Sequence, residues 1–506
     1  MNSKLLIFEL NEVPYKVIDQ FIADHPKSTF AAVLPKSARR HSHLPDTGQM
    51  HPKTSWHTFH RGVPDHVHGY REYNQIEAPG QYANPTFLEI SRRSGRRVGC
   101  GASIGSWPIP ENHDNIDFWM ADPFAPTPDS IPNTLDHFQR FNTAAVAGSS
   151  RNVRAGGFTK KAALDFVLRL PALGIRPQTC FHVVRHLLDE RRDRKKAVRR
   201  RNLQALMSFD VCLHQWKRTK PDVATIFGNH VAAAMHRYWA AAFPEDYVVN
   251  NMPLDWREDY GDEIDAAMLV ADDMLKRLLK AAKAEPGTRV LLVGSMGQAG
   301  IEHEVTRNQL IVTDMTRFLS TLGFSPDDFE RRPGMEPEYI VAFSTPEKLQ
   351  EYNQARSRMD INGRTPDCKI ANSDTCSILV DQYNVDFDHV TVDGKPISLE
   401  DAGLKIESID DFAGSTAQHI PEGICIVMDP NEDLSAYSNE TIDDLCAVTS
   451  SILAAQDVPV PDYMPEPVSE LVAALGGNNQ PTAPTEAPVK RPAQTNVSEK
   501  KPAAVE

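Results

Sequence analysis

Residues 50 to 70 read MHPKTSWHTFHRGVPDHVHGY and place five histidines beside two threonines, a serine and a lysine. Imidazoles ligate divalent metals, and a hydroxyl attacks phosphorus once a base or a metal eases its deprotonation. A polar run of this kind also caps helices. Thr54 is the candidate nucleophile, with Lys53 and the neighbouring histidines to assist it, and Ser55 offers a second hydroxyl one residue on. His57 and His60 stand three apart on an emerging helix, so they share a face, either near a ligand or packed as satisfied core imidazoles. His51, His66 and His68 fall in turns beside proline or glycine. Trp56, Trp107 and Tyr70 either stack on a sugar or base or join the core.

Three further stretches follow apolar runs: FELNE, FGNHVAAAMH and VGSMGQ. In an open parallel sheet, the polar residues just past strand ends converge on one edge, where ligands bind. Asn11, Asn229 and Ser295 occupy such positions. His230 and His236 lie six apart, on opposite faces of one continuous helix, so both ligate one metal only if His230 belongs to the preceding loop. Glu302, His303 and Glu304 offer further ligands or a base, or form a solvated loop.

The elements that must position these groups are legible in outline. A chain of 506 residues has room for one large α/β domain with insertions or for two domains. KLLIFEL, DVATIF and GTRVLLVG read as strands, and DEIDAAMLVADDMLKRLLKAAKA as the amphipathic helix between the last two, which is the grammar of a parallel sheet. Residues from about 150 to 218 read as a helical insertion and those from about 336 to 413 as a small β-rich one. The tail 476–506 has too few large apolar residues to offset the entropy of ordering.

Composition excludes several classes. No apolar run approaches the roughly 20 residues that span a bilayer, and the N-terminus lacks a secretory cleavage pattern, which leads us to expect a cytoplasmic protein. Seven scattered cysteines without a C-x-x-C fit reduced thiols. A formal net charge of −14 argues against general nucleic-acid binding. One basic run, RHLLDERRDRKKAVRRR at 185 to 201, has helical propensity throughout and meets anionic lipid, a glycan phosphate or nucleic acid, or forms a solvated helix face.

The order of these pieces resembles the alkaline phosphatase superfamily, and most of all its type I phosphodiesterase and nucleotide pyrophosphatase branch. PKTSWHTFHRGVPDHVHG resembles the threonine nucleophile followed by a Gly, a Pro and a closing His-Gly. PDVATIFGNHVAAAMHRYW falls where that branch has an Asp-x-x-x-His metal pair, and QHIPEGICIVMDP resembles the closing strand with its metal histidine, here His419. The resemblance implies a three-layer α/β sandwich around a mostly parallel sheet, filling residues 1–475. It also implies two metal ions, usually zinc, that clamp a phosphate. The departures are specific: Asn11 replaces an aspartate, Ala232 a carboxylate, and Ser295 and Met296 an Asp-His pair. One metal site is dismantled on this reading, and His236, His419 and His230 remain for a single zinc with an open position.

Together these features imply a phosphoester hydrolase-like protein acting on a phosphodiester, or on a nucleotide or sugar phosphate. Thr54 attacks, Asn11 donates to a phosphate oxygen, His57 moves the proton, and Lys53, Asn229 and Ser295 bind substrate. The alternative is a catalytically inactive binding module of the same fold for a glycan or nucleotide. A third reading is a transferase that uses the same nucleophile.

Overall fold

The computed structural model describes residues 3–48, 50–147, 166–334 and 337–477. All but the first two residues of the predicted tail therefore lie outside the described residues. The centre is a nine-stranded sheet whose strands we number β1 (Lys4–Leu10), β2 (Ala38–His43), β3 (Val98–Gly101), β4 (Ile116–Met120), β5 (Ser130–Ile131), β6 (Val223–Gly228), β7 (Thr288–Val293), β8 (Glu422–Met428) and β9 (Asn439–Asp444). Their spatial order is β9-β2-β8-β7-β1-β6-β3-β4-β5. The middle of the sheet is parallel: β1 pairs with β6 and β7, and β3 with β6 and β4. Only β8 and β5 run against their neighbours.

KLLIFEL is apolar on both faces because both faces are covered. Leu6, Phe8 and Leu10 join one core cluster and Leu5 and Ile7 another, all fully buried. The first cluster is roofed by α4 (Arg200–Thr219), α5 (His230–Ala242) and α6 (Glu263–Lys283). The second is roofed by α1 (Pro52–Arg61) and α7 (Leu445–Ala455), through Trp56, Phe59, Val448 and Ile452. Helix, sheet and helix make three layers. The first layer also receives α2 (Asp136–Ala147) and α3 (Pro177–Arg192).

The basic run is not one helix. Asp193 caps a new start by accepting the backbone N–H of Lys195, so α3 stops at Arg192, a 3-10 stretch covers Arg194–Arg199, and α4 begins at Arg200.

The β-rich segment has a core of its own, built on Leu310, Tyr339, Tyr352 and Ile378. It starts before the expected boundary near 336, because Asn308–Val312 pairs with Leu404–Ser408. A pairing at that sequence separation leaves no local pattern to read. The segment is sewn to the main body where Lys53 of α1 bonds Glu72 at 2.7 Å and Glu338 at 2.8 Å. The three side chains are 6%, 7% and 12% exposed, so the triad is a buried one.

Removing this lysine leaves Glu72 without its hydrogen-bonded cation and Glu338 with only the more distant Lys369, at 3.7 Å. Lys53→Met is expected to lower the unfolding free energy by about 3–5 kcal/mol, read from the midpoint of a urea titration. A midpoint equal to that of the unaltered protein would show that the triad does not anchor the segment.

Candidate functional site

Strand β1 delivers its C-terminal residues to the sheet edge between β6 and β7, and the chain turns there through Asn11 and Glu12. Glu12 is held at φ 61°, in the left-handed region, and is 1% exposed. Such a conformation costs a non-glycine residue about 1–2 kcal/mol, and here it turns a carboxylate into the interior. Glu12 Oε1 accepts from Asn11 Nδ2 at 2.7 Å, and Oε2 accepts from Gln298 Nε2 in a short hydrogen bond.

Two imidazoles meet the same carboxylate. His236, in the second turn of α5, places Nε2 2.9 Å from Glu12 Oε2. His419 lies on the strand Ala417–Ile420, whose antiparallel partner Gly297–Gly300 sets Gln298 opposite it, so one register brings both residues to Glu12. His419 Nε2 is 3.4 Å from Glu12 Oε2, within ion-pair range but not hydrogen-bonded. The far nitrogens settle the tautomers, since a carbonyl can only accept: His236 Nδ1 donates to Ala417 O at 3.3 Å and His419 Nδ1 to Met50 O at 2.9 Å. Both Nε2 atoms therefore face Glu12.

With Nδ1 protonated, a neutral imidazole presents an Nε2 lone pair, and two lone pairs aimed at a carboxylate repel it unless a positive charge sits among them. Protons on the rings supply that charge, and so does a metal ion. The ligand atoms of Glu12, His236 and His419 all lie within 4.8 Å of one another. Together with backbone carbonyls that orient both rings and the orphaned His419 Nε2, this donor set fits a divalent cation. Without one, burial pushes the Glu12 carboxyl up, but the charges of His419 and His236 outweigh it and hold the group well below 4.5. Burial likewise lowers His419, yet the Glu12 charge prevails and leaves it above 6.5.

A cavity of about 400 Å³ opens beside this cluster. Its polar lining includes Asn229, His51 and, from α4, Arg201 and Gln204, and its apolar wall includes Phe124 stacked on Tyr73 with centroids 4.1 Å apart. His51 caps α1, and its Nδ1 accepts the backbone N–H of Lys53 at 3.2 Å. Burial, then the charge of Lys53, holds this ring well below 6.5. It is thus a neutral imidazole whose Nε2–H is a donor.

The expected site residues divide between this cavity and other duties. His236 and His419 come together, and His230 and Asn229 line the cavity. His230 is the first residue of α5 and stands outside the ligand cluster; burial lowers it to about 4, and Glu12 takes the third place instead. Asn11 also lines the cavity, with its polar atoms engaged: both Nδ2 hydrogens go to Glu12 and Asn229, and Oδ1 accepts from Trp56. Thr54, at the third position of α1 and 3% exposed, is not among the residues that line the cavity, whereas His51 and Pro52 are. Lys53 is held by its two glutamates, Ser295 meets Ser55 at 2.8 Å, and His57 stacks on Tyr70 at 3.8 Å. His303 gives Nδ1 to the Ile301 carbonyl, away from the cluster. Glu12, which the sequence analysis passed over, stood one residue beyond Asn11 in FELNE.

No family model matches the chain, and no curated protein matches it. Among solved structures, an inactive variant of murine ectonucleotide pyrophosphatase/phosphodiesterase 5 in complex with AMP is similar over 94% of this chain and 99% of its own. The TM-score is 0.39 and the identity 9%. The human counterpart gives 0.35 and 9% over 92% and 96%. Sinorhizobium meliloti phosphonoacetate hydrolase with phosphonoformate gives 0.37 and 11% over 84% and 89%. These are the kind of protein that the sequence motifs resemble. At such scores the likeness carries no argument about activity or ligand.

The charge pairing has a pH window. Its contribution to stability is complete between the ordinary carboxyl value of 4.5 and the ordinary imidazole value of 6.5. It is lost below that window as Glu12 protonates through its depressed pKa, and above it as His419 deprotonates through its raised one. NMR titration of the metal-free protein should give a His419 pKa above 6.5, and Glu12→Gln should bring it below, since burial then dominates. A His419 pKa unmoved by that substitution would contradict the pairing.

Proposed function

We propose that this chain is phosphoester hydrolase-like, holding one divalent cation between Glu12, His236 and His419 and taking a small phosphorylated ligand into the adjoining cavity. The observation that carries the reading is the convergence of two oriented imidazoles and a buried carboxylate on one point at the cavity wall. Two nitrogens and one carboxylate oxygen are donors suited to zinc and to similar borderline ions, and three protein ligands leave a position open. When bound, such an ion supplies Lewis-acid polarisation of a phosphoryl oxygen.

The chain's own residues supply the rest. His51, neutral and donating through Nε2, hydrogen-bonds a ligand oxygen without needing a charge. Asn229 is anchored by Asn11 and presents its amide to the cavity. The Tyr73–Phe124 wall excludes water from the apolar part of a ligand.

A second reading, a binding module without turnover, is favoured by Thr54. It is nearly buried and is not among the residues that line the cavity.

Metal analysis of the purified protein is expected to give close to one equivalent of a divalent ion, lost in Glu12→Gln and in His419→Ala. Hydrolysis of bis-p-nitrophenyl phosphate is expected to fall by at least ~100-fold on chelation and in Glu12→Gln. Metal binding with ligand-induced thermal stabilisation but no turnover selects the binding module. Loss of turnover in Thr54→Ala with metal retained restores the hydroxyl to the reaction. A protein that binds no divalent ion refutes the metal-dependent reading and leaves only the binding module.

A further inference from the structure

Helix α3 presents an unusual outer face. Its inner side is pinned: Thr179 Oγ1 donates to the buried Asp210 of α4 at 2.6 Å, and Arg277 of α6 holds Asp210 from behind. The opposite side carries Phe181, Val184, Leu187 and Leu188, exposed by 64%, 57%, 46% and 50%. The spacing of 181, 184 and 188 makes one stripe along a helix about 24 Å long.

Arginines share that face. Arg185 and Arg192 flank the stripe, and Arg191 falls between Val184 and Leu187 in helical projection, all three exposed. The ion pairs of Arg185 and Arg192 with Asp189, at 3.8 and 3.9 Å, are solvent-exposed and so contribute little. Residues 185 to 201 hold nine Arg or Lys against three Asp or Glu, a local charge of +6 in a chain of formal charge −14. Part of that charge turns inward, since Arg199 bonds Glu263 and Arg200 bonds Glu190. Arg191, Arg192, Arg194 and Lys195 remain exposed, with Lys195 beside Asp259.

We propose that α3 docks on an anionic lipid bilayer surface, lying in its plane with the apolar stripe at the headgroup boundary and the arginines among the phosphates. Charge complementarity selects the partner. A concentrated positive patch on an otherwise acidic protein seeks an extended negative surface, and the apolar stripe within it needs a partner that is also apolar beneath its charges. A bilayer interface offers both, and long basic side chains reach its phosphates while their stems cover the stripe. A nucleic-acid duplex satisfies the charges but leaves Phe181 and Leu188 in water. None of the described helices is long and apolar enough to cross a membrane, so the contact is interfacial. The inference is independent of the proposed function, because no residue of α3 lines the cavity.

The test is co-sedimentation of the full chain with vesicles of phosphatidylcholine alone or mixed with phosphatidylglycerol. Binding is expected to the mixed vesicles only and to fall with salt. It should weaken by roughly tenfold or more in Arg191→Glu/Arg192→Glu and be lost in Phe181→Asp/Leu188→Asp. Both variants alter exposed side chains and should keep the parent melting temperature, which separates loss of docking from loss of fold. Failure to sediment with mixed vesicles would overturn the proposal, as would sedimentation unchanged in both variants. Duplex DNA or RNA binding that survives Phe181→Asp/Leu188→Asp, without vesicle binding, would reassign the face to nucleic acid. A dimer in sedimentation equilibrium abolished by that variant, again without vesicle binding, would reassign it to a second copy of this chain.

Discussion

One carboxylate organises the candidate site. Glu12 is buried on a left-handed backbone, and its neighbour Asn11 and three side chains from distant parts of the chain, Gln298, His236 and His419, are arranged around it. A charge in that position is tolerated only with positive partners and hydrogen bonds close at hand. The rings on Ala417 and Met50, and the register that sets His419 opposite Gln298, are the consequences of that demand.

The sheet explains why these groups meet. Strands β1, β6 and β7 are parallel neighbours, so the residues that follow β1 and β6 emerge at one edge beside the turn after β7. The antiparallel β8 starts at that edge and runs away from it, so the short strand before it carries His419 there. Helix α4 closes the far side of the cavity from the first helical layer. The pocket therefore belongs to the junction of sheet and helices and to no single motif.

Several polar residues with a chemical look have structural work. Lys53 ties two parts of the molecule together, Asn11 braces Glu12 and Asn229, and His57 is a neutral ring in an aromatic stack. Lys53 and Asn11 have their polar atoms engaged inside the protein. What faces the cavity is a smaller set, and it is dominated by imidazoles and amides rather than hydroxyls.

The sequence by itself determined the parallel sheet, because uniformly apolar strands separated by amphipathic helices have few other ways to bury both faces. It also marked His236 by its place after a strand, and His419 through the resemblance of the closing strand that follows it. It did not single out Glu12: this residue differs from any surface glutamate only through the turn that points it inward, and its partners Gln298, His236 and His419 lie hundreds of residues away. The same holds for Lys53, whose neighbours in sequence suggested a place beside a ligand while the fold sets it between Glu72 and Glu338. It holds too for the basic run, which a single capping aspartate divides in two. Local chemistry and periodicity are encoded in neighbouring residues, whereas the direction of a side chain is set by long-range register, and only the folded chain decides it.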